Sequence, residues 1–72
     1  MVSFKGKEIR ETRTLGDKLR EAREEEGVSL TDAENAIQIR KDYLQCLEDG
    51  QYHKLPGEVY IRKFLEKYAS YL

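Results

Sequence analysis

One cysteine, one histidine and one proline stand in this chain of 72 residues, and each scarcity excludes a class of protein. The lone Cys46 cannot close an internal disulfide, so the chain is not a disulfide-stapled scaffold. One thiol and one imidazole (His53) make no metal site, since structural metals take about four such ligands. A single proline and five scattered glycines exclude low-complexity and collagen-like chains. Gly6, Gly16, Gly27, Gly50 and Gly57 are isolated, so no glycine-rich loop is available to cradle a phosphate. No apolar run has the length of a membrane span or of a signal-peptide core, and a soluble, unexported chain is expected. Charge of one sign is lacking too. Thirteen basic residues against fourteen acidic ones give a net charge of −1, which is no reservoir for polyanions. Neither a serine nor the cysteine has a plausible base, and no carboxylates pair in an evident pocket. The expectation is a non-enzyme without cofactors.

What is present is charge, 38% of residues, and a clustered 39% of apolar side chains. Together they suit short amphipathic helices in one small domain. Residues 1–13 read as an N-terminal arm, with Val2, Phe4 and Ile9 its only sizeable apolar groups. The domain then runs over residues 14–72. Thr14-Leu15-Gly16-Asp17 starts helix 1 with a hydroxyl cap and a carboxylate three residues on. Leu15, Leu19 and Ala22 give it a narrow inner stripe, Lys18 and residues 20–26 a solvated face, and Gly27 a left-handed stop. Ser29 and Asp32 start helix 2, which buries Leu30, Ala33, Ala36 and Ile37. Gln38-Ile39 turns the chain, with Ile39 as a buried pin. Helix 3 follows from about Arg40 to Asp49, with Leu44 and Leu47 facing in, Tyr43 beside them and Gly50 as the stop. Two short helices about a tight turn, behind a capping first helix, form a helix-turn-helix unit. A fifth short helix around Gln51-Tyr52-His53-Lys54 remains open.

The last helix, launched at Leu55-Pro56-Gly57, carries more large apolar groups than one stripe uses. At about 100° per residue, Ile61, Leu65, Tyr68 and Leu72 fall within an arc of roughly 60° and make a core face. Tyr60, Phe64 and Tyr71 form a second, aromatic group beside it, bordered by Lys63 and Lys67. Interface centres favour aromatic anchors ringed by charge, so this second group is a candidate partner surface. The bland alternative is that the rings fold back on Tyr52, Leu55 or helix 1.

The stretch Thr14-Leu15-Gly16-Asp17-Lys18-Leu19-Arg20-Glu21-Ala22-Arg23 resembles the opening of lambda-repressor-like helix-turn-helix domains. Ile39-Arg40-Lys41-Asp42-Tyr43-Leu44 and Leu47-Glu48-Asp49-Gly50 narrow the likeness. With Leu55-Pro56-Gly57-Glu58-Val59-Tyr60 and Phe64-Leu65-Glu66-Lys67-Tyr68-Ala69, the chain is similar to the N-terminal cytoplasmic domains of the RodZ family of bacterial cell-shape proteins. That resemblance implies a cytoplasmic module tethered to the membrane by a span absent from this chain, which would make the chain a fragment. It further implies docking on the actin-like filament protein MreB through the last helix, at Tyr60 and Phe64. Lys63 departs from the family pattern, which has a small residue there.

The fold expected is all-α: a lambda-repressor-like helix-turn-helix bundle of four to five helices, with a longer C-terminal helix packed on Leu15, Leu19, Leu30, Ile39, Leu44 and Leu47. The functional alternative is a sequence-specific DNA-binding regulator. Its helix 3 would enter the major groove and offer Arg40, Lys41, Tyr43 and Gln45. Against DNA stand Asp42, Glu48 and Asp49 on the same helix, since phosphate neutralisation supplies most sequence-independent affinity.

Overall fold

The structure, a computed structural model, describes residues 14–72. The arm assigned to residues 1–13 lies outside the described residues. Helix α1 (Leu15–Glu25) begins with a complete capping box. Thr14 Oγ1 accepts from the Asp17 N–H and Asp17 Oδ2 accepts from the Thr14 N–H, each at 3.1 Å. Ser29 and Asp32 repeat the device at the start of α2 (Leu30–Ile37). Four N–H groups at a helix start have no partner within the helix, and each box satisfies one of them while fixing where the helix begins.

The turn after α2 is tight. Gln38 takes the left-handed conformation (φ 60°, ψ 38°), uncommon for a side chain with a Cβ, and its Nε2 donates to the Asn35 carbonyl at 2.9 Å. Ile39 is buried, as its role as a pin requires. Helix α3 (Lys41–Asp49) then starts with Arg40 as its N-cap, but the Arg40 side chain makes no capping bond. The Lys41 N–H instead donates to Glu34 Oε2 on α2, at 3.1 Å. A 3-10 turn (Tyr52–Lys54) and the buried Leu55 lead into α4 (Glu58–Tyr71), the longest helix. Among the described residues the fold is thus all-α, four helices and a 3-10 turn, with the longest helix last.

The core consists of Leu19, Ala33, Ile37, Ile39, Leu44, Leu47, Leu55 and Tyr68. Leu15 does not belong to it: it is 48% exposed. The face that α1 turns to α3 is Gly16, Leu19, Arg20 and Arg23, one residue round from the expected Leu15, Leu19 and Ala22. The cause is close backbone approach. A Cβ on Gly16 would lie 2.6 Å from the Leu47 carbonyl oxygen and closer still to that of Glu48. Only a glycine lets α1 sit this near α3.

Helix α4 departs from expectation in a related way. Its single fully buried side chain is Tyr68. Ile61, Leu65 and Leu72 flank it on one side, Phe64 and Tyr71 on the other, and all five are half-buried against the core. The two groups separated on the helical wheel are therefore the two shoulders of one seat centred on Tyr68. Among the described residues, no helix is long and apolar enough to cross a membrane.

Candidate functional site

The aromatic residues of α4 do not stand alone. Tyr60, one turn into the helix, is 50% exposed, and its ring lies 5.9 Å from that of Phe64, centroid to centroid. Phe64 in turn stacks on Tyr43 of α3 at 5.6 Å with 22° between the planes. Over the Tyr43 ring, 5.2 Å from its centroid, sits the Arg40 guanidinium. Offset stacks and cations over aromatic faces are both attractive, because the ring face is electron-rich. The result is a continuous row, Arg40–Tyr43–Phe64–Tyr60, running from the start of α3 onto α4. It unites residues that the sequence assigned to two rival sites.

Each remaining site residue has a plain location. Lys63 and Lys67 are exposed on α4, and among the described residues neither enters an ion pair. Tyr71 is half-buried at the end of the helix, packed against the core. Arg40, Lys41 and Gln45 are exposed, whereas Tyr43 is half-buried. Gln45 Nε2 donates to Asp49 Oδ2 at 3.2 Å, and Arg40 meets Asp42 at 3.4 Å. On α3, Gln45 is thus held by a carboxylate of the same helix, Arg40 is loosely paired with another, and the Lys41 side chain enters no ion pair among the described residues. With Glu34 on the Lys41 N–H, the positive end of the helix carries an anion from within the chain.

Sequence reasoning missed a buried polar centre. Glu48, counted among the negative charges of helix 3 that stand against DNA, is 1% exposed. Arg23, placed on the solvated face of α1, reaches it with two bonds, Nε to Oε2 at 2.7 Å and NH2 to Oε1 at 3.0 Å. From α4 the Tyr68 hydroxyl donates to Glu48 Oε2 at 2.5 Å. Arg20 adds its charge at 3.4 Å and bridges on to Asp49 at 2.6 Å. Burial alone would push the Glu48 carboxyl up. The bonds from Arg23 and Tyr68, with the charges of Arg23 and Arg20, reverse this and hold it below its ordinary value. Its bond to Glu48 raises Arg23, and burial together with Glu48 raises Tyr68. The centre ties α1, α3 and α4 together. Its signal was in the periodicity: 44, 47 and 48 share a helix face, as do 19 and 23.

The fold and this geometry define a helix-turn-helix domain. A family model described as a helix-turn-helix domain matches residues 18–72, and the chain belongs to that family. It is 39% identical over 57 residues to the cytoskeleton protein RodZ of Streptococcus pneumoniae, which covers 79% of this chain and 21% of that protein. It is 45% identical over 43 residues to the uncharacterized membrane protein YmfM of Bacillus subtilis, covering 60% of this chain and 15% of that one. The chain thus spans about a fifth or less of the length of these relatives. No solved structure is significantly similar to it.

Proposed function

We propose that this domain is the filament-docking module of a bacterial cell-shape protein, seated on the cytoplasmic side of the membrane. It binds an MreB-type actin-like filament through α4. Tyr60 and Phe64 are the anchors, Tyr71 extends the apolar strip, and Lys63 and Lys67 speed encounter with an acidic partner. The observation that carries this reading is the half-exposed Tyr60 ring on a helix whose core duty falls to Tyr68. The likeness to a protein named for the cytoskeleton, and to a second named as a membrane protein, agrees with it.

Co-sedimentation with polymerised filaments tests it. Tyr60→Ala should weaken pelleting by about 1–2 kcal/mol or more if the ring is an anchor, and Phe64→Ala by at least as much. A doubly substituted domain that keeps its helical circular dichroism and still pellets like the parent removes the reading. Sequence-specific DNA binding is the second reading, favoured by the exposure of Arg40, Lys41 and Gln45 on the second helix of the pair. It ranks lower because Asp42 and Asp49 share the helix with Arg40 and Lys41 and leave it no surplus of positive charge for phosphates, while Asp49 also holds Gln45. An electrophoretic shift at low salt that shows no retarded duplex disposes of it.

A further inference from the structure

We infer that the docking surface extends beyond α4 onto the start of α3, and that Arg40 is its specificity residue, taking a carboxylate that borders an apolar patch on the partner protein. The inference rests on the filament-docking reading and adds to it the partner's chemistry. Helix α3 was the element set aside for DNA. The row of rings makes its first turn part of the same surface as Tyr60, because Phe64 touches Tyr43 and Tyr43 carries Arg40.

Three observations point to an acidic occupant. The first is the posture of Arg40. As N-cap it makes no capping bond, and its guanidinium lies over Tyr43. Contact with the ring face restrains the guanidinium without consuming its N–H donors, and a planar fork so held can receive a carboxylate by two parallel bonds. The second is how weakly that fork is already engaged. Among the described residues its one ion-pair partner is Asp42 at 3.4 Å, with both side chains largely exposed, 67% and 72%. An exposed pair of this kind contributes little and yields readily to a better-placed anion. The third is the rim. On α4, Lys63 and Lys67 lie on the side of the helix next to Tyr60 and enter no ion pair among the described residues, and with Arg40 they outnumber the one carboxylate paired at this edge, Asp42. A strip of aromatic surface edged by surplus cations fits a protein surface with an apolar centre and acidic margin.

The experiment compares the parent chain, Tyr60→Ala, Arg40→Glu and Arg40→Lys in filament co-sedimentation at low and high salt, with circular dichroism to verify folding. Arg40 is exposed and caps nothing, so its variants should fold. The expected result is a loss of about tenfold or more for Arg40→Glu at low salt, narrowing at high salt as screening rises. Arg40→Lys should fall between, since it keeps the charge but not the planar fork. Arg40→Glu pelleting like the parent while Tyr60→Ala does not would overturn this inference and leave the docking reading intact. If neither substitution matters, both fail. A labelled duplex retained by the parent and released by Arg40→Glu, without filament pelleting, would overturn it in favour of nucleic acid. A Tyr60-dependent dimer in sedimentation equilibrium would overturn it in favour of a second copy of the chain.

Discussion

Glu48 receives bonds from two helices other than its own, and its worth to the fold follows from what removal of either partner leaves behind. A buried carboxylate stripped of a donor keeps its desolvation cost and loses the compensation. Tyr68→Phe should therefore cost about 1–3 kcal/mol in urea unfolding although it deletes a single oxygen. The same centre sets a pH dependence. Glu48 is held below its ordinary 4.5 in the folded chain, so its contribution is full above that value and drains as pH falls through the lower, folded one. Comparison with Glu48→Gln isolates it. The variant should be the less stable at neutral pH, and the gap should shrink on acidification below 4.5. A gap that stays constant into strong acid would mean that the fold leaves the carboxyl at its ordinary value, and a change in favour of Glu48 as pH falls would mean that the fold raises it. Tyr68 works at the other end. Its folded value is raised above 10.0, so its contribution is full below that pH and is lost as pH rises further, relative to Tyr68→Phe.

At the scale of elements, the crossing of α1 and α3 depends on a missing side chain. Gly16→Ala would drive a methyl group against the carbonyl oxygens of Leu47 and Glu48, which are helix backbone and cannot rotate away. Overpacking of this kind costs about 1–3 kcal/mol, and here it must also pry apart the helices that hold the Arg23–Glu48 pair. A lowered urea midpoint for Gly16→Ala, against little change for Gly27→Asn at a left-handed stop in open space, would check this. The same crossing explains what the sequence could and could not disclose. Both capping boxes, the stops at Gly27 and Gly50, and the pin at Ile39 are local chemistry, readable from a few consecutive residues. The inner face of α1 is not, because the glycine that lets two backbones meet carries no hydrophobic signal. Glu48 was hidden by its charge, although its spacing from Leu44 and Leu47 put it on the inner face. The Tyr43–Phe64 stack depends on the angle between α3 and α4, which no local pattern encodes. So the aromatic group of α4 could be singled out in advance, while its continuity with Arg40 could not.

Across the whole molecule, the packing predicts an uneven distribution of stability, with α4 the piece most easily released. The first three helices, with the turn between α2 and α3, share Leu19, Ala33, Ile37, Ile39, Leu44 and Leu47, whereas α4 contributes one fully buried side chain and several half-buried ones. When α4 lifts, the Tyr68 seat opens and water reaches Glu48. Hydration of the Arg23–Glu48 pair then offsets part of the lost packing, so the seam is cheaper to open than an apolar one of equal area. Native-state hydrogen exchange should accordingly show amides at residues 62–67 exchanging through an opening of lower free energy than those at Leu44 and Leu47. Tyr68→Ala should lower the α4 opening further, by about 3–5 kcal/mol if the site cannot collapse, with a smaller effect on α3. Equal protection throughout would instead make the domain one cooperative unit. The consequence for function is direct. The row of rings exists only while α4 is seated, so a partner that grips Tyr60, Phe64 and Arg40 together binds the seated form alone. Its binding must raise α4 protection by RT ln(1 + [L]/Kd) at free partner concentration [L], and this is the measurement that joins the stability of the seam to the use of the surface.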